Sequence, residues 1–206
     1  MRPKTKRTTA IAVAVLCAAA IATMSSGVAA GGNNHPQCLG KRATIVGTNG
    51  FDDIRGTRQA DVIVARGEND TVDGRGGNDR ICGGEGNDTL RGGKGAGADR
   101  ISGGNGIDSL FGGTSLGTDT GNDVLKGGAG QDSVNGDAGD DVVQGDSGDD
   151  FIVAGEGGND TVYGGTGADQ VNGGPDTDFC DGDTTALHGD GATDTPQDCE
   201  TTADIP

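Results

Sequence analysis

A nine-residue pattern recurs along most of this chain, and residues 83–91 give its clearest copy. This copy reads Gly-Gly-Glu-Gly-Asn-Asp-Thr-Leu-Arg, with glycine at positions 1, 2 and 4, aspartate at position 6 and an aliphatic residue at position 8. The glycines let the backbone turn tightly at positive φ. The last three residues suffice only for a short strand, in which the leucine points to one face. One copy cannot bury that leucine alone, so the pattern predicts a stack of such units.

About fourteen units follow one another without a break from residue 47 to residue 181. Position 6 is an aspartate in every unit, and position 8 is Ile, Val or Leu in all but the last, where it is Cys180. The first three units lack some of the glycines. The units that begin at residues 92, 112 and 154 are longer, with the extra residues between the glycine pair and the aspartate. Because only the loop half varies in length, we expect a solenoid of alternating loops and short strands.

The composition narrows the class of protein. The 206 residues include 43 glycines and 2% aromatic residues, with a formal net charge of −17. Few large apolar residues and a high net charge are ordinarily typical of disorder, but periodic glycine favours a repeat architecture over a flexible linker. The acidic balance argues against binding to nucleic acid, because phosphates repel carboxylates. We therefore expect cationic partners, above all metal ions.

The first 30 residues have the organisation of a secretory signal peptide. Four basic residues precede an alanine-rich apolar stretch at residues 11–22, which is short for a membrane span, and Val28-Ala29-Ala30 is a small-residue cleavage site. We expect cleavage after Ala30 and a secreted, extracellular mature protein with no membrane span. An uncleaved anchor is the alternative.

Four cysteines are left after cleavage. An even number in an exported chain indicates disulfides, with three connectivities open. We favour the pairs Cys38–Cys82 and Cys180–Cys199, because each pair lies at one end of the repeat array.

Two flanking segments complete the mature chain. Residues 31–46 form an N-terminal segment in which residues 43–46, Ala-Thr-Ile-Val, have strand composition and should cap the stack. Residues 182–206 lack the period and are expected to form an acidic C-terminal tail tied by a disulfide.

The units resemble the RTX, or haemolysin-type, calcium-binding repeat over residues 47–181, and the flanks are similar to those of small secreted RTX-only proteins of actinobacteria. The resemblance implies an all-β fold, a right-handed parallel β-roll (a β-solenoid) in which two repeats form one coil. Odd-numbered loops would then stack along one edge and even-numbered loops along the other. The implied metal ligands of the odd edge are Asp52, Asp70, Asp88, Asp108, Asp132, Asp150 and Asp169. Those of the even edge are Asp61, Asp79, Asp99, Asp123, Asp141, Asp160 and Asp178.

In that family each calcium ion lies between loops two units apart, bound by aspartate carboxylates and by carbonyl oxygens of the glycine region. Six or more oxygen ligands suit Ca²⁺ and not a transition metal. Seven loops on each edge leave six gaps, so about twelve ions is the upper limit. We expect the best sites in units four to seven and nine to thirteen, where the loops are most regular.

The residues themselves indicate why such a chain needs the metal. Aligned carboxylates about 5 Å apart along each edge repel one another. One apolar side chain in every nine residues buries too little surface to offset the loss of chain entropy. Calcium would neutralise the edges and link adjacent coils, so its binding free energy becomes folding free energy.

Other functions find less support in the residues. His35 and His188 are the only histidines, one in each flank, and no His-Glu-x-x-His or serine-elbow motif is present, so we expect no enzyme. A cytolysin needs membrane-inserting apolar segments, and none follows the signal peptide. A calcium-dependent extracellular adhesin or matrix protein, bound to cell-surface polysaccharide or to further copies of the chain, is the alternative function.

Overall fold

The structure is a computed structural model that describes residues 35–114, 120–155, 157–183, 195–197 and 201–203. The predicted signal peptide lies outside these residues, as does most of the predicted tail. In the described part, no helix is long and apolar enough to cross a membrane.

The described residues form nineteen strands and no helix. A hairpin ahead of the repeats consists of β1 (Gln37–Cys38) and β2 (Lys41–Arg42). A first sheet contains β4 (Asp53–Arg55), β6 (Thr71–Asp73), β8 (Thr89–Arg91), β10 (Ser109–Phe111), β12 (Ser133–Asn135), β14 (Phe151–Val153), β16 (Gln170–Asn172) and β18 (Thr195–Gln197). A second sheet contains β3 (Ile45–Val46), β5 (Val62–Gly67), β7 (Arg80–Glu85), β9 (Arg100–Asn105), β11 (Val124–Ala129), β13 (Val142–Ser147), β15 (Thr161–Thr166), β17 (Phe179–Asp183) and β19 (Thr201–Ala203).

Both sheets are parallel, and successive strands of the chain alternate between them. Each coil therefore contributes one strand, and so one nonapeptide, to each sheet. The register places position 8 of one coil beside position 8 of the next, so that Ile63 pairs with Ile81 and Val72 with Leu90. The predicted all-β solenoid with two repeats per coil is confirmed, over about seven coils.

The two sheets differ in the length of their strands. Strands of the first sheet have three residues, whereas most of those in the second have six, because pairing there continues into positions 1–3 of the following odd loop. On β7, for example, Gly84 pairs with Gly104 of the next coil. Sheet pairing thus holds the first half of each odd loop from unit three onward, while the even loops leave the first sheet directly after position 9.

The position 8 side chains fill the space between the two sheets. Their relative exposure is 9% or less, and they belong to one core cluster: Ile54, Ile63, Val72, Ile81, Leu90, Ile101, Leu110, Leu125, Val134, Val143, Ile152, Val162, Val171 and Cys180. This confirms the predicted aliphatic core. Each such side chain contributes roughly 1.5–3 kcal/mol when fully buried.

A hairpin and a disulfide close the amino-terminal end of the roll. Leu39 and Gly40 connect β1 to β2 with φ of 48° and 78°, as a two-residue hairpin turn requires. Cys38 is bonded to Cys82 on β7, which confirms the predicted pair. Ile45 on β3, the first strand of the second sheet, packs against the core cluster.

At the carboxyl-terminal end the sheets continue past the repeats. β18 pairs in parallel with β16, and β19 pairs in parallel with β17, so two segments of the expected tail extend the roll. These segments lack the glycine–aspartate pattern, so the repeat could not predict their strands. Cys180 is disulfide-bonded, and its predicted partner Cys199 lies outside the described residues.

Candidate calcium sites on the loop edges

Each edge of the roll carries a ladder of the position 6 aspartates. On both edges the backbone N–H of one aspartate donates a hydrogen bond of 2.7–2.9 Å to Oδ1 of the aspartate one coil further on. The odd ladder runs through Asp52, Asp70, Asp88, Asp108, Asp132, Asp150 and Asp169. The even ladder runs through Asp61, Asp79, Asp99, Asp123, Asp141, Asp160 and Asp178. These are the two sets that the family resemblance implied for the two edges.

Position 6 is the junction between loop and strand, which explains why one residue type fills it. The backbone carbonyl of Asp70 accepts the hydrogen bond of Thr89 N at 2.8 Å and so begins the pairing of the next coil. Its side chain must meanwhile reach the N–H of Asp52 in the preceding coil. A short side chain with an acceptor oxygen can reach this N–H while the backbone carbonyl pairs with the next coil. A carboxylate also has a second oxygen, which this hydrogen bond does not use.

That second oxygen is buried and unpartnered in seven members of the ladders. Their relative exposure is 3% or less. Oδ2 accepts no hydrogen bond within the described residues in Asp70, Asp79, Asp88, Asp108, Asp132, Asp150 and Asp160. Burial of an acceptor without a donor costs about 1–3 kcal/mol, and more for a charged group. These oxygens are therefore incomplete without a further partner.

The pKa values of the ladder aspartates also indicate that these carboxylates lack a cationic partner among the described residues. Burial raises the pKa of Asp108 and Asp150 from 3.8 to about 7, although the hydrogen bond from the preceding coil lowers it. The neighbouring ladder carboxylates add to the rise. Burial likewise raises the pKa of Asp79, Asp88 and Asp160 to about 6. Negative charge on these ladders is thus disfavoured unless a cation is nearby.

Glycine keeps the space beside these oxygens free of side chains. A Cβ on Gly83 would collide with the carboxylate of Asp88, and a Cβ on Gly84 would collide with the carbonyl oxygen of Arg66 in the preceding coil. Glycines at position 4 are equally constrained, since a Cβ there would strike the position 4 carbonyl of the coil before. The loops therefore enclose gaps bordered by carbonyl oxygens and one carboxylate.

Loops that lack these glycines keep the same backbone. Position 2 has φ of 98° at Arg66 and 78° at Arg75, and position 4 has φ of 65° at Glu68. Asp137 and Asp146, which replace the second glycine in two later units, have φ of 72° and 73°. Stacking of the coils imposes this left-handed geometry on residues that disfavour it, at about 1–3 kcal/mol each.

In the first two units, a threonine donates hydrogen bonds to Oδ2 of the position 6 aspartate, so this oxygen is satisfied without a cation. Thr48 and Thr57 occupy position 2 there. The N–H of Thr57 donates to Oδ2 of Asp61 at 2.7 Å, and its hydroxyl lies 2.9 Å from the same oxygen and 3.2 Å from the position 4 carbonyl of Gln59. Thr48 makes the corresponding contacts with Asp52, at 2.6 and 3.0 Å.

The threonine hydroxyl therefore marks a point where the position 6 carboxylate and the position 4 carbonyl converge. In later units glycine or another residue replaces the threonine, and no side-chain hydroxyl from position 2 takes this place. By the glycine pattern alone, Thr48 and Thr57 count only as missing glycines. Their spacing of four residues before the aspartate, seen in both units, was the signal that could have revealed their role.

The donor set fits calcium. Within the described ranges no three His, Cys, Asp or Glu side chains converge on one point. The other ligands of a cation in these gaps would have to be backbone carbonyl oxygens. An all-oxygen set of carboxylates and carbonyls suits Ca²⁺, whereas zinc selects His and Cys.

Comparison with known proteins agrees with this geometry. A family model described as the RTX calcium-binding nonapeptide repeat (4 copies) matches residues 46–81, 76–96, 95–115, 117–152 and 153–184. No curated protein matches the chain. The matched segments cover more than half of the sequence and coincide with the stacked units. This chain therefore belongs to the family of RTX calcium-binding nonapeptide repeat proteins.

Proposed function

We propose that this protein is a secreted, non-catalytic calcium-binding protein whose roll folds when calcium occupies the gaps between successive loops. The observation that carries the proposal is the set of seven ladder aspartates whose Oδ2 is buried and accepts no hydrogen bond within the described residues. Bound calcium would supply the positive charge that these oxygens lack.

The ligands that we assign are the position 6 aspartates of units three to fourteen, together with loop carbonyl oxygens. These aspartates are Asp70, Asp79, Asp88, Asp99, Asp108, Asp123, Asp132, Asp141, Asp150, Asp160, Asp169 and Asp178. We leave out Asp52 and Asp61, because threonine already satisfies their Oδ2. Six loops on each edge leave five gaps, so we expect at most about ten ions, fewer than the repeat count alone allows.

Folding and binding are coupled in this proposal. Without a cation the ladders bury carboxylates within one coil of each other, which desolvation and mutual repulsion oppose. The core offers one aliphatic side chain per unit, at roughly 1.5–3 kcal/mol each, against a chain entropy of about 1–2 kcal/mol for every ordered residue. Metal binding makes up the difference, as in other small metal-dependent domains.

Export and the absence of catalysis rest on further features. The signal-like segment at residues 1–30 and the Cys38–Cys82 disulfide both suit an extracellular protein, where disulfides persist. The ladder aspartates are committed to hydrogen bonds between coils. His35, the one histidine within the described residues, is exposed. Calcium binding accounts for the buried carboxylates, so they need not serve as an acid–base pair in catalysis.

A calcium titration tests the proposal. Mature protein, residues 31–206, is stripped of metal and followed by far-UV circular dichroism while calcium is added, with magnesium as the control cation. We expect β-structure to form at roughly millimolar calcium, and not with magnesium, which needs a smaller octahedral site. An unchanged spectrum across the titration would refute coupled folding. Native mass spectrometry of the folded form counts the ions, and more than about ten would refute the exclusion of the first two units.

A further inference from the structure

A cationic groove lies along the even edge near the amino-terminal end of the roll. It has a volume of about 580 Å³ and is lined by Arg58, Arg75 and Lys94, with Gly76, Gly77 and Asp73. We call this surface the basic groove. Its volume lies in the range of ligand-binding pockets, about 300–1,000 Å³.

The three cations come from consecutive coils. Arg58, Arg75 and Lys94 belong to the loops of units two, four and six, so they stand about 5 Å apart along the roll axis. All three are exposed, and none forms an ion pair with another described residue. Like charges stacked in this way repel one another, and an anion placed among them removes the repulsion.

The groove lining contains one carboxylate, that of Asp73, beside three cationic side chains. Asp73 lies between Arg55 and Arg91 on neighbouring strands of the first sheet. Arg55 also contacts Asp53, and the guanidinium of Arg91 lies over the Phe111 ring at 5.2 Å. The floor carries no side chains at Gly76 and Gly77, so an anion can approach the backbone closely there.

The basic residues of the mature chain all lie in its amino-terminal part, where the groove is found. Residues 31–126 contain eleven Lys and Arg and thirteen Asp and Glu, eight of which are the position 6 aspartates. Residues 127–206 contain nineteen Asp and Glu and no Lys or Arg. The equivalent cavity between units eleven and fourteen has a similar volume, about 480 Å³, but is lined by Val153, Gly155, Asn172, Gly174 and Pro175. The repeat therefore does not require cations at this place.

We propose that the basic groove binds an anionic polysaccharide, whose sulfate, phosphate or carboxylate groups contact Arg58, Arg75 and Lys94. A linear polymer fits because the cations form a row along an open groove. Nucleic acid fits less well, since the groove lining offers no aromatic side chain on which a base could stack and the rest of the chain is strongly acidic. This inference rests on the proposed function, because the groove exists only when the roll is folded.

Binding of labelled oligosaccharides to the mature protein in calcium tests the inference. Fluorescence anisotropy compares a dextran sulfate oligosaccharide with a hyaluronan oligosaccharide, which carries carboxylates, and with neutral dextran. We expect the two anionic probes to bind and neutral dextran not to bind. The relative affinity of the two anionic probes identifies the preferred group.

Two triple variants, each of which removes three positive charges, test whether the polysaccharide binds in the basic groove. The triple variant Arg58→Gln, Arg75→Gln, Lys94→Gln should bind about tenfold more weakly. The control variant Arg66→Gln, Arg100→Gln, Lys126→Gln removes three basic side chains outside the groove and should bind nearly as well as the wild-type chain. A double variant, Arg58→Gln and Lys94→Gln, changes only side chains at positions without strained backbone and should also bind more weakly.

Circular dichroism of each variant in calcium separates the two proposals. If the wild-type roll folds with calcium but binds neither anionic probe, the groove inference is wrong while the calcium proposal stands. Equal losses in the two triple variants would indicate attraction by net charge alone and would overturn the groove. Unchanged binding in the groove variant would mean that bound calcium bridges the polymer, which also overturns it. Failure of the wild-type chain to fold in calcium contradicts the proposed function itself.

Discussion

The backbone N–H of Asp132 donates a hydrogen bond of 2.8 Å to Oδ1 of Asp150, while Oδ2 of Asp150 is buried and accepts no hydrogen bond from any described residue. One oxygen of the carboxylate therefore holds two coils together, and the other faces a gap bordered by glycine. The same division recurs at Asp70, Asp88, Asp108 and Asp132 on the odd edge and at Asp79 and Asp160 on the even edge. We infer that each ladder combines a structural role with a metal-binding one. The two roles can be separated by experiment, because an amide retains the first oxygen and loses the charge.

Replacement of Asp150 by asparagine should reduce the number of bound calcium ions by one or two. The Asn oxygen can still accept the hydrogen bond of Asp132, so the coils stay in register, but the negative charge that a cation needs is gone. Native mass spectrometry in calcium gives the ion count directly.

Asp149→Asn is the matched control. Asp149 precedes Asp150 in the chain, is exposed, and accepts the N–H of Ala168 at 3.0 Å through an oxygen that the amide keeps. It removes the same charge without touching the ladder. An equal loss of calcium in the two variants would contradict a specific role for position 6.

Asp61→Asn should leave the calcium count unchanged, because Thr57 already satisfies Oδ2 of Asp61 through its N–H and hydroxyl. The change should instead cost about 1 kcal/mol of stability, since an amide nitrogen cannot accept these hydrogen bonds. Thr57→Val, which removes only the hydroxyl, should give a similar cost with the same number of ions. A drop in ion number for Asp61→Asn would return the first two units to the set of calcium sites.

Acid should stabilise the metal-free roll. The pKa of Asp108 and Asp150 rises to about 7 in the roll from 3.8, so the folded metal-free chain binds more protons than the unfolded chain between these values. Stability of the metal-free form is therefore present at low pH and is lost as pH rises towards 7. Desalted, metal-free protein should gain β-structure in far-UV circular dichroism between about pH 7 and pH 4.5.

Calcium should reverse this dependence, because protons and the cation compete for the same oxygens. The double variant Asp108→Asn, Asp150→Asn is the control: it removes two of the raised groups and should respond less to acid in the absence of metal. A metal-free chain that loses β-structure on acidification would show that the ladders do not govern its folding.

Glu68→Gly should stabilise the roll by about 1 kcal/mol, because glycine relieves the positive φ of 65° that the loop imposes on Glu68. The expected readout is a lower midpoint in the calcium titration. Glu85→Gly in the next odd loop removes the same charge from a residue that lies on β7 and accepts a hydrogen bond from Asn105 at 2.9 Å. It should be destabilising, and a shift of both variants in the same direction would point to charge as the cause.

Much of the candidate site could be predicted because its features are local. The period placed Leu90 inside and Asp88 at the end of its loop, and the Cys38–Cys82 pair was favoured because both cysteines lie near one end of the repeat array. Alternation of units between two edges followed from the family resemblance, and the hydrogen bonds of Asp88 with Asp70 and Asp108 agree with it. Two strands within residues 195–203 escaped prediction, because they are held by pairing with earlier coils and not by a pattern of their own.

By itself, the sequence determined the repeating unit, the side of the strand that each residue faces, and the calcium-type donor set, because these depend on periods of two and nine residues. The tertiary structure alone decided which oxygen is without a hydrogen bond in seven ladder carboxylates of the described residues, that Thr57 donates to Asp61, and that Arg58, Arg75 and Lys94 share one groove. Each of these depends on contacts within a folded loop or between residues seventeen to twenty-four positions apart. Such contacts form only when the coils stack in one register, and a period in the sequence does not record the distances between atoms that the register sets.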